Sequence, residues 1–389
     1  MKKILKIIFP FEDFLYLLQQ EGYETDRYFR LLSRFFWRRN IQNRAGLVWT
    51  KRAKIILVLA LPLSILIFPL VPIWIGISNL LTCAYFEKIK KGIQKKATDK
   101  FDKQNGHTKV IMIAGSYGKT TTKNYIYELI KYNYKTQMIP GNINTLTGIA
   151  NWVNSDFDKS TEVLISEVDP YWIGEIKEAC KIIPPDIAIL THIGDQHLER
   201  LATKENLKKA LEEVFVYAKP DAIKLRGKKE SLDYALQVAG LLKIPSDIIA
   251  DTTKKLKPPD RRGDIKKIFG FEVIDESYNI SESTAKRNVT LAKKAAKKKN
   301  KQLIVVTAGI PELGEKNKNA NKNLGKNLEK SADIVVVLKS IFYKDIVQNK
   351  DKFNLAQDLH EAWSIIKKYT PKNSLVLMLP ELGDQYYNE

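Results

Sequence analysis

The feature that most constrains this chain is the stretch Gly115-Ser116-Tyr117-Gly118-Lys119-Thr120-Thr121-Thr122-Lys123, set directly after the apolar run Val110 to Ala114. An apolar run, two glycines and a hydroxyl-rich segment read as a strand, a tight turn and a helix start. Glycine lets backbone N–H groups close on phosphate oxygens, and a helix N-terminus adds positive potential there. Lys119 can reach terminal phosphates, and Thr120 can set its hydroxyl on a magnesium ion. A nucleoside triphosphate is the expected ligand. Only Ser116 and Tyr117 separate the glycines, against four residues in the common phosphate loop, so this short GxxGKT loop marks a narrower class.

With 389 residues and 44% hydrophobic content, the chain can bury cores for two or three domains. Cys83 and Cys180 are its only cysteines, which supports neither a disulfide framework nor a cysteine metal site and fits a reducing compartment. The formal charge of +20 is concentrated in lysines at 88–103 and 286–301. Nucleic acid, anionic lipid and solvated helix faces all attract or tolerate such charge. No zinc finger, RNA-binding aromatic motif or basic zipper accompanies it, so a nucleic-acid partner is not expected. In the second cluster, Leu291, Ala292, Ala295 and Ala296 supply a helical apolar stripe that reads as a solvated helix.

The first cluster follows a stretch without a charged residue, 55–86, long enough to enter a bilayer. Both flanks are basic, with Lys51, Arg52 and Lys54 before it and Lys88, Lys90 and Lys91 after it. A single span would export one of these flanks, against the positive-inside tendency. Pro62, Pro69 and Pro72 offer a bend instead, giving a hairpin whose arms of about 15 residues reach roughly 22 Å, short of the hydrocarbon core of roughly 30 Å. A re-entrant or monotopic anchor is favoured over a single span, and a soluble helix pair is the third reading. Residues 1–50 read as amphipathic helix on the membrane surface, and 87–106 as a cationic linker.

Beyond residue 106, apolar runs at 110–114, 163–166, 187–190, 272–275, 303–307, 334–338 and 375–379 alternate with helical patterns. Alternation of this kind implies α/β architecture with parallel sheets, whose ligands collect at the carboxyl ends of the strands. The expected organisation is a membrane-associated helical region over 1–106, a central nucleotide-binding domain over 107–255 and a C-terminal Rossmann-like α/β domain over 256–389. Glu167 ends one strand, and His197 lies in the glycine-bearing segment Thr191-His192-Ile193-Gly194-Asp195-Gln196-His197-Leu198 after the next.

Taken together, the short loop, Gly141-Asn142-Ile143-Asn144, Glu167, the His197 segment, Arg261, Asp275-Glu276-Ser277-Tyr278-Asn279 and Ala308-Gly309-Ile310-Pro311-Glu312-Leu313-Gly314-Glu315 resemble the Mur ligase family. They occur in the family's order over 108 to about 340, most like the branch that adds a dipeptide to a UDP-sugar peptide. The resemblance implies ATP and Mg²⁺ as cofactors. It implies that Gly115, Ser116, Tyr117, Gly118, Lys119, Thr120 and Thr121 hold the nucleotide phosphates, and that Arg261, Asp275, Tyr278 and Asn279 close over the nucleotide. Lys119, Glu167 and His197 are the implied catalytic residues, and Thr120, Glu167 and His197 the implied metal ligands.

The implied reaction is ATP-dependent amide ligation through an acyl phosphate. It would join a cell-envelope precursor, lipid-linked or otherwise membrane-proximal, to an amino acid or dipeptide amine at the cytoplasmic face of the cell membrane, with membrane lipids as partners. A degenerate ATP-binding scaffold for envelope enzymes is the alternative. The family carries a carbamylated lysine at the position of Leu211, which here falls on the apolar face of Leu207, Ala210, Val214 and Ala218. The asparagine expected near the base is Ser231, and the family's UDP-sugar domain is replaced by the helical region.

Overall fold

The structure is a computed structural model, and it describes residues 10–35, 46–66, 70–104, 107–141, 143–194, 198–228, 230–259, 261–277, 280–311, 313, 316–340, 342–347 and 351–380. The chain divides into two compact units, one within residues 1–92 and one spanning Ile93–Leu382.

The first unit is helical. Helices α1 (Phe11–Gln20) and α2 (Thr25–Phe35) precede α3 (Lys51–Leu66) and the start of α4 (Val71–Gln104). Phe14, Leu15, Leu18, Tyr28 and Leu32 share one core with Ile56, Ala60, Val71 and Ile75. Gly76 is required by this packing, because a Cβ there would lie 2.5 Å from Phe29 Cζ. Arg52 Nη2 donates to Asn79 Oδ1 at 2.9 Å and links α3 to α4. The expected bend near Pro69 falls at residues 67–69, outside the described residues. Among the described residues no helix is long and apolar enough to cross a membrane, which corrects the single-span alternative. The expected linker at 87–106 is also corrected: α4 runs unbroken to Gln104, because its lysines and alanines are good helix formers. Its last turns pack Ala97 and Phe101 into the core of the second unit.

That unit holds two sheets. The first, in the order β2 (Thr136–Met138), β3 (Val163–Glu167), β1 (Lys109–Ala114), β4 (Ile187–Leu190), β5 (Ile223–Arg226), is wholly parallel. The second has the order β10 (Phe353–Ala356), β9 (Ile334–Leu338), β8 (Gln302–Thr307), β11 (Ser374–Leu379), β7 (Phe271–Asp275), β6 (Asp264–Ile268). Its β6–β7 pair is antiparallel and the rest are parallel. All seven apolar runs read from the sequence are strands, and all but β7, which is half-buried, are almost wholly buried, as parallel strands between helices must be. The four strands missed, β2, β5, β6 and β10, are short or polar and lie at sheet edges, where half of each strand meets solvent.

Strand β1 is central in its sheet, with β3 on one side and β4 on the other, so chain crossovers leave in both directions. The loop at its carboxyl end therefore opens into the crevice where such sheets bind ligands. Helix α5 (Lys119–Ile130) begins at the end of that loop.

Candidate active site

The 115–118 loop is tied down from the neighbouring strand exit. Ser116 N donates to the His192 carbonyl at 2.8 Å, Gly194 N donates to Ser116 Oγ at 3.0 Å, and Thr191 Oγ1 donates to the Tyr117 carbonyl at 2.6 Å. A side chain at Gly115 would strike Thr191 Oγ1, and Gly118 precedes α5 at φ 84°, so both glycines are demanded by geometry.

Three side chains from α5 enter the site. Lys119, buried, places Nζ 3.0 Å from Asp169 Oδ2 and also donates to the Gly115 carbonyl. Thr120 Oγ1 donates to Glu167 Oε2 at 2.7 Å. Lys123 donates to Glu167 Oε1 at 2.9 Å and to the Ile139 carbonyl at 2.7 Å. Lys123 and Glu167 are a fully buried pair. Burial pushes the Lys123 ammonium down from its ordinary range, the Glu167 charge opposes that shift, and the Arg262 charge adds to it. Asp169 is held from the other side, its N–H donating to the Asn144 carbonyl at 3.1 Å.

Lys119, Thr120, Glu167 and Asp169 line one end of a cavity of about 560 Å³, with Ser116 to Gly118, Thr121, Gly141 and Asn144. The opposite wall comes from the second sheet's half: Arg261, Arg262, Glu276, Thr284, Arg287, Asn288 and Leu291. Glu230 and Ser231, at the start of α-helix Ser231–Leu241, complete the first wall. Arg287 Nη2 lies 3.5 Å from Glu230 Oε2 and bridges the two walls. Burial drives the Glu276 carboxyl up to about 7, with Asp264 and Asp275 adding to the rise and Arg287 and Arg262 opposing it.

Thr120 and Glu167 present only hard oxygen donors next to the phosphate loop, a set that fits a magnesium-like cation. No group of three or more His, Cys, Asp or Glu side chains suited to a metal occurs among the described residues.

The structure brings together Ser116, Tyr117, Gly118, Lys119, Thr120, Thr121, Glu167 and Arg261 of the expected site around the cavity, and Gly115 lies behind it with its carbonyl accepting from Lys119. Asp275 does not line the cavity; its Oδ1 accepts from Ser277 N and Oγ, and the next residue, Glu276, faces inward instead. His197, Tyr278 and Asn279 lie outside the described residues. Leu211 is fully buried in the first sheet's core, as its apolar spacing implies. Glu213 does not approach the cavity: its carboxylate accepts from Gly174 N at 2.6 Å and Lys177 N at 3.1 Å, capping the start of the helix Glu175–Ile182. Sequence reasoning gave no site role to Lys123, Asp169, Arg262 and Arg287, and it singled out Glu276 only within the segment 275–279. A charged residue four positions along the helix from Lys119, or two beyond Glu167 on the same face of an extended exit, was the available signal for the first two.

Comparison with known proteins bears on this geometry. Residues 113–239 match the Mur ligase middle domain. The UDP-N-acetylmuramoyl-tripeptide--D-alanyl-D-alanine ligase of Bacillus subtilis is 32% identical over 116 residues, covering 30% of this chain and 25% of the relative. That of Rickettsia prowazekii is 33% identical over 125 residues, covering 32% and 27%. The matched stretch thus spans about a quarter of these curated relatives. Among solved structures, the MurF ligase of Thermotoga maritima in complex with ADP superposes with a TM-score of 0.67 at 23% identity, over 75% of this chain and 80% of that one. FolC of E. coli, in complex with DHPP and ADP, gives 0.51 at 13% identity over 74% and 89%. Residues 113–239 are thus similar to a Mur ligase middle domain, and the two-sheet fold is shared with these solved structures.

Proposed function

We propose that this chain is an ATP-dependent amide ligase of the MurF type, acting on a cell-wall precursor carboxylate and an amino acid or dipeptide amine. The observation that carries this reading is the phosphate loop, with Lys119, Thr120 and Glu167, facing the arginines of the second sheet's half across one cavity. A carboxylate and an amine do not condense at neutral pH. In the proposed reaction a carboxylate oxygen attacks the γ-phosphorus of ATP and ADP leaves. The amine nitrogen then attacks the acyl carbon, loses a proton, and phosphate departs.

The loop N–H groups would hold the β- and γ-phosphates. Lys119 would leave Asp169 for the γ-phosphate oxygens and neutralise charge on the transferring group. Thr120 and Glu167 would hold the divalent cation, which when bound adds charge neutralisation. Arg262 and Arg287 would approach from the opposite wall as the cleft closes, excluding water that would hydrolyse the acyl phosphate.

The location we propose is the cytoplasmic membrane surface, with a membrane-proximal, lipid-linked acceptor. The exposed apolar side chains of the helical unit support this part. The second reading, an ATP-binding scaffold, is favoured by one observation: Leu211 is core, so its helix offers no lysine to the site. ADP release in the presence of wall-precursor peptides and D-alanyl-D-alanine tests the two. A ligase releases ADP only with both substrates and loses release in Lys119→Ala, whereas tight ATP binding without ADP release under any such combination sinks the ligase reading.

A further inference from the structure

The helical unit leaves two outward faces that its own core does not use. On α3, Ala53, Ile56, Ala60 and Ser64 point inward, and the opposite positions are Lys51, Lys54, Val58 and Leu61. On α4, Val71, Ile75, Ser78, Asn79 and Thr82 point inward, and the outward row runs Leu80, Leu81, Tyr85, Lys88, Lys91. Each outward row passes from lysine to apolar residues toward the hairpin connection. Val58 is 65% and Leu81 70% exposed. Trp49 and Tyr85, amphipathic rings suited to a headgroup layer, are exposed at the other end of the hairpin.

Several polar groups between the helices are paired internally. Ser64 Oγ donates to the Ala60 carbonyl and Thr82 Oγ1 to the Ser78 carbonyl. Asn79 Nδ2 donates to the Tyr23 carbonyl and Thr25 Oγ1, while Arg52 stacks over the Tyr23 and Phe86 rings. Each such pair lowers the cost of taking these helices out of water.

We propose that the α3–α4 hairpin docks into one leaflet of an anionic bilayer, with Val58, Leu61, Leu80 and Leu81 below the headgroups and Lys51, Lys54, Lys88 and Lys91 against lipid phosphates. This deepens the membrane-surface part of the reading above and is independent of its ligase part. At 16 residues, α3 reaches about 24 Å, enough to enter a leaflet and too short to cross the core of roughly 30 Å. Charge chooses lipid over a second copy of the chain. Residues 46–92 hold six cationic side chains and one carboxylate, Glu87, so two copies face to face would oppose cations, whereas anionic headgroups complement them. The lysine stems can snorkel along the apolar surface.

The test is sedimentation of the full chain with vesicles of phosphatidylcholine alone and of phosphatidylcholine with phosphatidylglycerol. The expected result is partitioning at least about tenfold stronger on the anionic vesicles. Substituting Val58, Leu61, Leu80 and Leu81 together by serine should lower it by a factor of about ten or more, and K51E/K54E/K88E should abolish the anionic preference. Because these side chains are exposed, cooperative unfolding of the variants should match the parent. Absence of vesicle binding, binding indifferent to the serine variant, or a dimer dissolved by that variant would each overturn the proposal. Nucleotide binding measured on the same samples reports separately on the ligase reading.

Discussion

Lys119 Nζ lies 3.0 Å from Asp169 Oδ2, so the lysine of the phosphate loop is held by a carboxylate of the next strand exit. Nucleotide must take Lys119 away from Asp169 and accept a negative neighbour in its place. Asp169→Asn should therefore tighten ATP binding about tenfold, the scale of one charge repulsion at a partly wet site, with calorimetry as the measurement. Weaker binding would mean that Asp169 orients Lys119 rather than competing for it.

The buried Lys123–Glu167 pair makes a stability prediction with an internal control. Lys123→Met strands the Glu167 charge and should cost about 3–5 kcal/mol in chemical denaturation, whereas K123M/E167L should recover most of that loss. A double variant as unstable as the sum of its singles contradicts this account.

Glu276 predicts a pH dependence. Its folded carboxyl sits at about 7 and its ordinary value is 4.5, so the folded state keeps a proton that the unfolded chain releases. Stability from this group is full below about 4.5, falls as pH rises through that window, and is gone above 7. Urea denaturation from pH 5 to pH 8 should show the decline in the parent and a flatter profile in Glu276→Gln. Equal slopes in both would remove Glu276 as the source.

Arg287 and Glu230, 3.5 Å apart and both more than half exposed, join the two walls of the cavity. An exposed pair contributes up to about 1 kcal/mol, so Arg287→Glu or Glu230→Arg alone should speed release of a fluorescent ADP about two- to fivefold. The swapped pair should restore the parent rate, and high salt should erase all the differences. Stopped-flow rates that fail to recover in the swap would rule out the bridge.

The α/β alternation, the phosphate loop and the placement of Leu211 in the core were legible because they rest on local spacing: continuous apolar runs, a glycine turn, a helical apolar stripe. Glu167 and Thr120 were legible as types, and only the fold sets them 2.7 Å apart. Asp275 and Glu276 were not separable, since adjacent residues after a strand point to opposite sides and the end of pairing decides which faces inward. The run at 87–104 was misread because a lysine-rich sequence is compatible with both solvated linker and helix, and packing of Ala97 and Phe101 selects the helix.

By itself, the sequence determined that β1 ends in a phosphate cradle and that an uncharged stretch lies between basic flanks, because both follow from neighbours along the chain. Only the tertiary structure decided that Asp169 holds Lys119, that Arg262 and Arg287 face the loop across a cleft, and that the uncharged stretch folds back with Leu80 and Leu81 outward. Those contacts join residues far apart in sequence, and their geometry is set by how sheets and helices pack rather than by any local preference.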